Sequence, residues 1–222
     1  MDERRLVREH TGGLRFYIDK GTDKRYISVT TILGLIVPKQ LQTWFKKTSQ
    51  EDIDKILKES GNHGTAVHAL IESDLKGDNP AISDELTPHF NKWLELKKQH
   101  EIVGEHTEMV VFSDEHGYAG AADIIGTFEG KPAVLDIKTG NSYSANTALQ
   151  LSAYKYAAEA MGLGKDLGTV CVQIPRNGRK AKCLTYEHQE SHFRTFLAAL
   201  QVFKYHHYKT LADMSWPWME QK

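Results

Sequence analysis

The chain has 222 residues, enough for one domain with a single sizeable core. A composition of 40% hydrophobic and 26% charged residues is that of an ordinary soluble globular protein, and a formal net charge of −1 excludes a globally basic nucleic-acid binder. Cys171 and Cys183 are too few for a disulfide framework or a four-cysteine metal site, and no apolar run approaches the ~20 residues of a membrane span.

Taken in order, residues 14–30 alternate as a hairpin, Leu14–Ile18 and Arg25–Val29 around a Lys20-Gly21 turn. Thr30 or Thr31 caps a short helix over Ile32–Ile36 that Pro38 ends. A second helix spans Leu41–Lys47, with Trp44 and Phe45 as its anchors. From Gln50, Ile53, Ile56 and Leu57, then Val67, Leu70, Ile71 and Leu75, recur at helical spacing. Gly61-Asn62-His63-Gly64 interrupts that pattern and predicts two helices or a kink. An amphipathic helix follows from Asp84 to His100, then strands near 102–113, 118–128 and 133–138, and a helix from Ala145 to Met161. A hairpin of Thr169–Ile174 and Lys182–Tyr186 precedes a closing helix from His188 to Tyr208. The predicted fold is α/β (α+β), a central mixed β-sheet flanked by helices. It is one domain over 1–222: an N-terminal hairpin and helical part to residue 60, a core over 61–210, and a tail over 211–222. Cys171 and Cys183 fall on two adjacent strands and are expected to stay reduced.

The chemistry concentrates between Ala122 and Tyr154. Two apolar runs around Glu129-Gly130-Lys131-Pro132 each carry one acid, Asp123 about six residues before Glu129 and Asp136 about four after Pro132, so the two can sit near one another across the hairpin. Side chains alternate along a strand, so Asp136 and Lys138 point the same way. Two ionised carboxylates ~4 Å apart repel by roughly 4 kcal/mol at an effective dielectric of ~20. A divalent cation between them, of the Mg²⁺ or Mn²⁺ class that oxygen ligands favour, relieves that repulsion. The pair alone reads equally well as strand-end acids matched to surface lysines. Lys138 beside a metal-bound carboxylate would position a water or stabilise charge on a phosphate. Gln150 and Tyr154, at i and i+4, share a helix face above that spot.

Asp123, then Asp136-Ile137-Lys138, then Gln150-Leu-x-x-Tyr154 resembles the PD-(D/E)XK nuclease superfamily. More narrowly it is similar to the RecB-like branch, which includes the mitochondrial genome maintenance exonuclease and CRISPR adaptation nucleases. Gly64-Thr-Ala-Val-His68-Ala-Leu-Ile-Glu72 resembles that branch's upstream histidine helix, and Ser28–Leu33 with Trp44 its entry segment. The resemblance implies a restriction-endonuclease-like core and a Mg²⁺- or Mn²⁺-dependent deoxyribonuclease. It implies His68, Asp123, Asp136 and the Ile137 carbonyl as metal ligands, Lys138 as the water-activating residue, and Gln150 and Tyr154 as its supports. His68, a nitrogen ligand, shifts the preference towards Mn²⁺. Glu72, one turn beyond His68, reads as its orienting partner, and Glu108 as an outer-shell acid or an exposed strand carboxylate. Ala122 stands where the superfamily has proline. Several relatives hold an iron–sulfur cluster on four cysteines, which two cysteines exclude here.

DNA would be gripped by Arg176, Arg179, Lys180 and Lys182 at the late hairpin tip and by Trp44, Lys46 and Lys47, where aromatic and basic residues mix. Both segments also read plainly, as a solvated turn and as core. The function so implied is an exonuclease on single-stranded or unwound DNA ends. The rivals are an endonuclease or nickase of the same fold, a weakly catalytic DNA-binding subunit of a recombination or mobile-element complex, and a metal hydrolase that ignores nucleic acid. Recombination, replication or mobile-element proteins are the expected partners, and the cytoplasm of a bacterium, or a phage-encoded origin, the expected setting. Tyr205–Tyr208 and Trp216-Pro-Trp218 read as a docking tail.

Overall fold

The computed structural model describes residues 6–140, 146–176 and 179–213. Eight strands form one mixed sheet: β1 (Leu6–Thr11), β2 (Leu14–Asp19), β3 (Arg25–Ser28), β4 (Val103–Ser113), β5 (Tyr118–Phe128), β6 (Lys131–Lys138), β7 (Gly168–Gln173) and β8 (Lys182–Thr185). The order is β1-β2-β3-β5-β6-β7-β8, with β4 paired along the other edge of β5. Pairing is antiparallel except for β3–β5 and β6–β7, which are parallel. The helices are α1 (Val29–Leu33), α2 (Lys39–Lys47), α3 (Gln50–Leu75), α4 (Thr87–Gln99), α5 (Asn146–Ala160), α6 (Gln189–His206) and α7 (Tyr208–Asp213). This is the mixed sheet flanked by helices that the pattern predicts. The Trp216-Pro217-Trp218 tail lies outside the described residues.

Two apolar layers sandwich the sheet. On one face α1, α5 and α6 pack Ile32, Leu151, Ala157, Phe196 and Phe203 against Phe16, Tyr118 and Val134. On the other, α3 and α4 pack Val67, Ile71 and Trp93 against Ile124, Leu135, Ile137 and Val172. The central strand β6 is therefore apolar on both faces, and each fully buried aliphatic side chain stabilises the fold by roughly 1.5–3 kcal/mol. Cys171 joins the first layer and Cys183 the margin of the second, so the thiols face opposite sides of the sheet. Both are free, and burial pushes each thiol up to about 12.

Several sequence expectations change. β1 is an additional strand, joined to β2 by Gly12-Gly13, both at positive φ as a tight two-residue turn requires. The turn between β5 and β6 is only Glu129-Gly130, so β6 starts at Lys131, two residues early. α1 begins at Val29 after Ser28 and uses no side-chain cap, and α4 begins at Thr87, with Pro88 in its first turn. α6 stops at His206 before the separate α7. The predicted break at Gly61–Gly64 is absent: α3 runs unbroken through both glycines, capped by Ser49 Oγ accepting from Asp52 N at 3.2 Å. Two helical glycines cost about 1 kcal/mol each, less than the burial of Val67, Leu70 and Ile71 returns. Trp93 Nε1 and Lys97 Nζ both donate to Asp74, at 2.7 and 2.8 Å, tying α4 to α3.

Gly126 sets how closely β4 approaches β5. A Cβ there would lie 2.0 Å from the Val103 carbonyl oxygen and 3.0 Å from Glu105 N, at the register shift between Gly104 and His106. Backbone atoms cannot swing away, so Gly126→Ala should destabilise the protein by about 3 kcal/mol and lower Tm by about 6–12 °C in a thermal melt. An unchanged Tm would mean that β4 is not held to β5 there.

Candidate active site

The site forms where β5 changes partners. β3 pairs with its first residues, Tyr118 and Ala119, and β6 with Ile124–Phe128, which leaves 120–123 without a strand on that edge. The side-chain alternation of β5 breaks at the same place: Ala122 and Ile125 pack in the α5 layer and Ile124 in the α3 layer. Opposite, β4 passes from Thr107↔Ile124 to Met109↔Ala122, so Glu108 faces Asp123, and Glu108 adopts φ +50°. A left-handed non-glycine residue costs about 1–3 kcal/mol and persists only where its surroundings enforce it. Here it brings a second carboxylate to Asp123.

Continuing the β5–β6 register one step beyond Ile124↔Leu135 sets Asp136 opposite Asp123. The Ile137 N–H donates to Asp123 Oδ2 at 2.6 Å. Asp136 is 1% exposed, and Lys138 Nζ stands 2.7 Å from its Oδ2, an ion pair off the angle of a hydrogen bond. Gln150 completes the cluster: its Nε2 donates to Asp136 Oδ1 at 2.8 Å and to Tyr154 Oη at 3.1 Å, while its Oε1 accepts from Lys138 Nζ at 3.3 Å. Every polar atom of the Gln150 amide thus has work in the site. Gly120 admits the Tyr154 ring, since a Cβ there would lie 2.4 Å from Cε1.

His68 reaches the same point from α3. Its Nε2 is 3.1 Å from the Ile137 carbonyl oxygen, and its Nδ1 is 3.5 Å from Asp123 Oδ1 and 3.6 Å from Glu108 Oε1. One ligand atom each from His68, Glu108 and Asp123 all lie within 4.8 Å of one another. One nitrogen and several carboxylate oxygens, with the Ile137 carbonyl alongside, suit a divalent cation of the Mn²⁺ or Mg²⁺ class.

Without a cation, the charges of the cluster shift its own titrating groups. Burial opposes a charged His68, but hydrogen bonds to Asp123 and Glu108 and the field of Asp136 override it and raise the imidazole to about 10. Burial raises the Asp136 carboxyl, against the pull of Lys138 and with the push of Asp123. Burial opposes charge on Lys138 too, yet Asp136 and Asp123 hold its ammonium above the ordinary value. Tyr154 is driven well up, by burial first and then by both aspartates, and stays a neutral phenol.

A folded value above 6.5 means that His68 stabilises the cation-free fold fully below 6.5 and loses that contribution as pH rises through about 10. A metal takes a neutral imidazole, so uptake must expel the proton. Calorimetry at pH 8 in buffers of different ionisation heat should show about one proton released per Mn²⁺ ion, and affinity that rises with pH between about 7 and 9. Release equal in wild type and His68→Gln would remove His68 from the ligand set.

Other predicted site residues lie apart. Glu72 pairs with Lys76 at 2.6 Å instead of backing His68, whose Nδ1 faces Glu108 and Asp123. Trp44 and Phe45 are not core anchors: α2 has no buried residue, Trp44 is half-buried, and Phe45, Lys46 and Lys47 are exposed. Arg176, Arg179, Lys180 and Lys182 are exposed around the β7–β8 connection, whose residues 177–178 lie outside the described ones. Sequence reasoning missed Gly120, although a glycine inside a strand pattern signals close approach. Nothing local in the sequence marks the backbone turn at Glu108.

A family model described as the PD-(D/E)XK nuclease superfamily matches residues 31–214, most of the chain. No curated protein matches it significantly.

Proposed function

The chain belongs to the PD-(D/E)XK nuclease superfamily, and from that premise we propose that it is a Mn²⁺- or Mg²⁺-dependent DNA exonuclease acting on single-stranded or unwound ends. The observation that carries the reading is the convergence of Asp123, Asp136, Lys138, Gln150 and His68 within one hydrogen-bonded cluster. His68, Asp123, Asp136 and the Ile137 carbonyl would hold the cation; the acid grouped with His68 and Asp123 within 4.8 Å is Glu108, while the Asp136 oxygens face Gln150 and Lys138. A bound cation supplies Lewis acidity at the phosphate and makes a nearby water more acidic. Lys138 holds its charge against Asp136 and is placed to orient water or to stabilise negative charge on the phosphate. Gln150 fixes Lys138 and Asp136 relative to each other, and Tyr154 holds Gln150. A cation shared by the aspartates weakens the field that keeps Lys138 charged, which eases its use as a base.

α2 supports a single-stranded substrate. It carries Lys39, Lys46 and Lys47 and no acid, with Phe45 exposed beside Trp44 at 5.2 Å between ring centroids. Asn146, at the start of the helix that bears Gln150, donates to the Leu33 and Ile36 carbonyls, which ties the end of α1 to α5. Cations interleaved with aromatic faces bind phosphates and stack bases without reading sequence. No helix among the described residues is long and apolar enough to cross a membrane.

The test is a gel assay with 5′- and 3′-labelled linear single-stranded, linear double-stranded and circular DNA, in Mn²⁺, Mg²⁺ or EDTA. Metal-dependent loss of linear but not circular substrate is expected. Cutting of circles would replace the exonuclease reading with an endonuclease, and binding without cleavage under any metal would favour a non-catalytic DNA-binding subunit.

A further inference from the structure

Helices do not cover the sheet evenly. Phe16 and Ile27 face the α1, α5 and α6 layer, so Arg15, Tyr17, Tyr26 and Ser28, which alternate with them, face the side of α3 and α4. There Tyr17, Tyr26 and Ala119 pack with Leu6, Val110 and Phe112, all of them strand residues, and no helix among the described residues joins that cluster. Arg8 and His10 stand opposite Tyr17 and Arg15 across the β1–β2 pair, so they share this face, and both are exposed.

Two arginines on this face are held in place without being neutralised. Arg8 Nη2 donates to Tyr17 Oη at 3.3 Å, and its guanidinium lies 5.7 Å from the centroid of the Tyr17 ring. Arg15 Nε donates to Ser28 Oγ at 3.1 Å, and Ser28 Oγ is itself 3.1 Å from Thr30 Oγ1. Among the described residues no carboxylate pairs with either guanidinium. The acids of the face are engaged at its other end, where Asp19 accepts from Gly21 N and Thr22 Oγ1, and Asp114 from Lys24 Nζ and Tyr26 Oη.

We infer that this face of β1–β3 carries the backbone of a DNA strand to the active site, with Arg8 and Arg15 on its phosphates. The inference rests on the nuclease reading of the Asp123 cluster and adds to it the path of the substrate. β3 runs parallel to β5 with Ser28 beside Ala119, and from there the open edge of β5 over 120–123 leads to Asp123, about 13 Å further on. His68 comes to the cluster from α3, on the same side of the sheet. The face selects backbone rather than bases. A guanidinium fork matches two phosphate oxygens at once, and anchoring Arg8 on Tyr17 and Arg15 on Ser28 lowers the entropy lost on binding. Tyr17 and Tyr26 are 3% and 0% exposed, so neither ring offers a surface on which a base could stack. The contacts are therefore independent of sequence, and the affinity they supply falls as salt rises.

The experiment is fluorescence anisotropy of labelled oligothymidylate with the full chain in EDTA, over a series of KCl concentrations. The proteins are wild type, Arg8→Gln, Arg15→Gln, the double variant and Lys131→Gln, whose lysine is exposed at the β5–β6 turn. A single strand releases about 0.7 cation per phosphate contact, so the slope of log affinity against log salt should fall in magnitude by about 0.7 in Arg8→Gln and about 1.4 in the double variant. Lys131→Gln should keep the wild-type slope. Circular dichroism checks folding, and Arg8, exposed on an edge strand, can be replaced at little cost to stability even if Arg15 cannot. An unchanged slope in Arg8→Gln, an equal loss in Lys131→Gln, or no binding by wild type would each overturn the inference. Because EDTA removes cleavage from the readout, the two readings fail separately. DNA held through both arginines but cut under no metal would sink the nuclease and keep this face, whereas cleavage with unchanged slopes would sink this face and keep the nuclease.

Discussion

Asp136→Asn should abolish DNA cleavage, by about 1,000-fold or more, while leaving DNA binding within a few-fold of wild type. The substitution keeps shape and removes charge. Its amide retains an acceptor for Gln150 Nε2, which reaches Asp136 Oδ1 at 2.8 Å, so the surrounding cluster loses little packing. What it loses is the anion that Lys138 pairs with at 2.7 Å and that a cation would share with Asp123. Removing a single preorganised electrostatic partner from an active site costs about 100–1,000-fold, and a carboxylate proposed both to hold the cation and to position a charged side chain belongs at or beyond the upper end. Asp136 is 1% exposed, so it makes little contact with a phosphate backbone, and the α2 cations and the β7–β8 tip are untouched. Electrophoretic mobility shift and cleavage, measured on the same labelled strand, separate the two effects. Cleavage retained in Asp136→Asn would sink the site; binding lost along with cleavage would mean that Asp136 holds the fold rather than the reaction. Lys138→Ala should show the same separation with a smaller loss, since a positioned acid or base supplies about 100–10,000-fold.

How much of this was legible in the sequence depends on how local each feature is. Asp123 and Asp136 stand out because a hairpin places residues by counting from its turn; counted from Glu129 and Pro132 they differ by two, and the shorter Glu129-Gly130 turn makes them equidistant, one step beyond Ile124↔Leu135. Asp136 and Lys138 share a face because strands alternate, and Gln150 and Tyr154 share one because helices repeat. The apparent break in α3 was misleading for the opposite reason. Glycine propensity is local, but Val67, Leu70 and Ile71 are buried on a sheet built from distant residues. β1 was missed because its edge position leaves Arg8, Glu9 and His10 little to bury, and only Gly12-Gly13 announces the hairpin. Trp44 reads as core by composition, yet α2 buries none of its residues among the described elements, and the sequence carries no sign of that. Glu108 is the hardest case. Its approach to Asp123 follows from β5 exchanging β3 for β6, an event fixed by three strands far apart in the chain.

Gly120 shows how such non-local geometry reaches the chemistry. Gly120→Ala should lower the cleavage rate by about 100-fold without changing DNA affinity. The added Cβ would sit 2.4 Å from Tyr154 Cε1 and 3.0 Å from its Cζ and Oη, so the ring must retreat by about 1 Å to reach ordinary contact. Tyr154 is 2% exposed within the α5–α6 layer, so its retreat strains packed neighbours and costs about 1–3 kcal/mol of stability. The displacement then passes along hydrogen bonds, from Tyr154 Oη to Gln150 Nε2 and from Gln150 to both Asp136 and Lys138. A reacting group misplaced by about 1 Å can cost about 100-fold. A double-mutant cycle distinguishes this relay from general destabilisation. Tyr154→Leu removes the ring that Gly120 makes room for, so adding Gly120→Ala to it should lower the rate and Tm little further. If the two substitutions instead multiply their effects on the cleavage rate, Gly120 does not act through Tyr154, and the open edge of β5 between β3 and β6 owes its shape to something other than that ring.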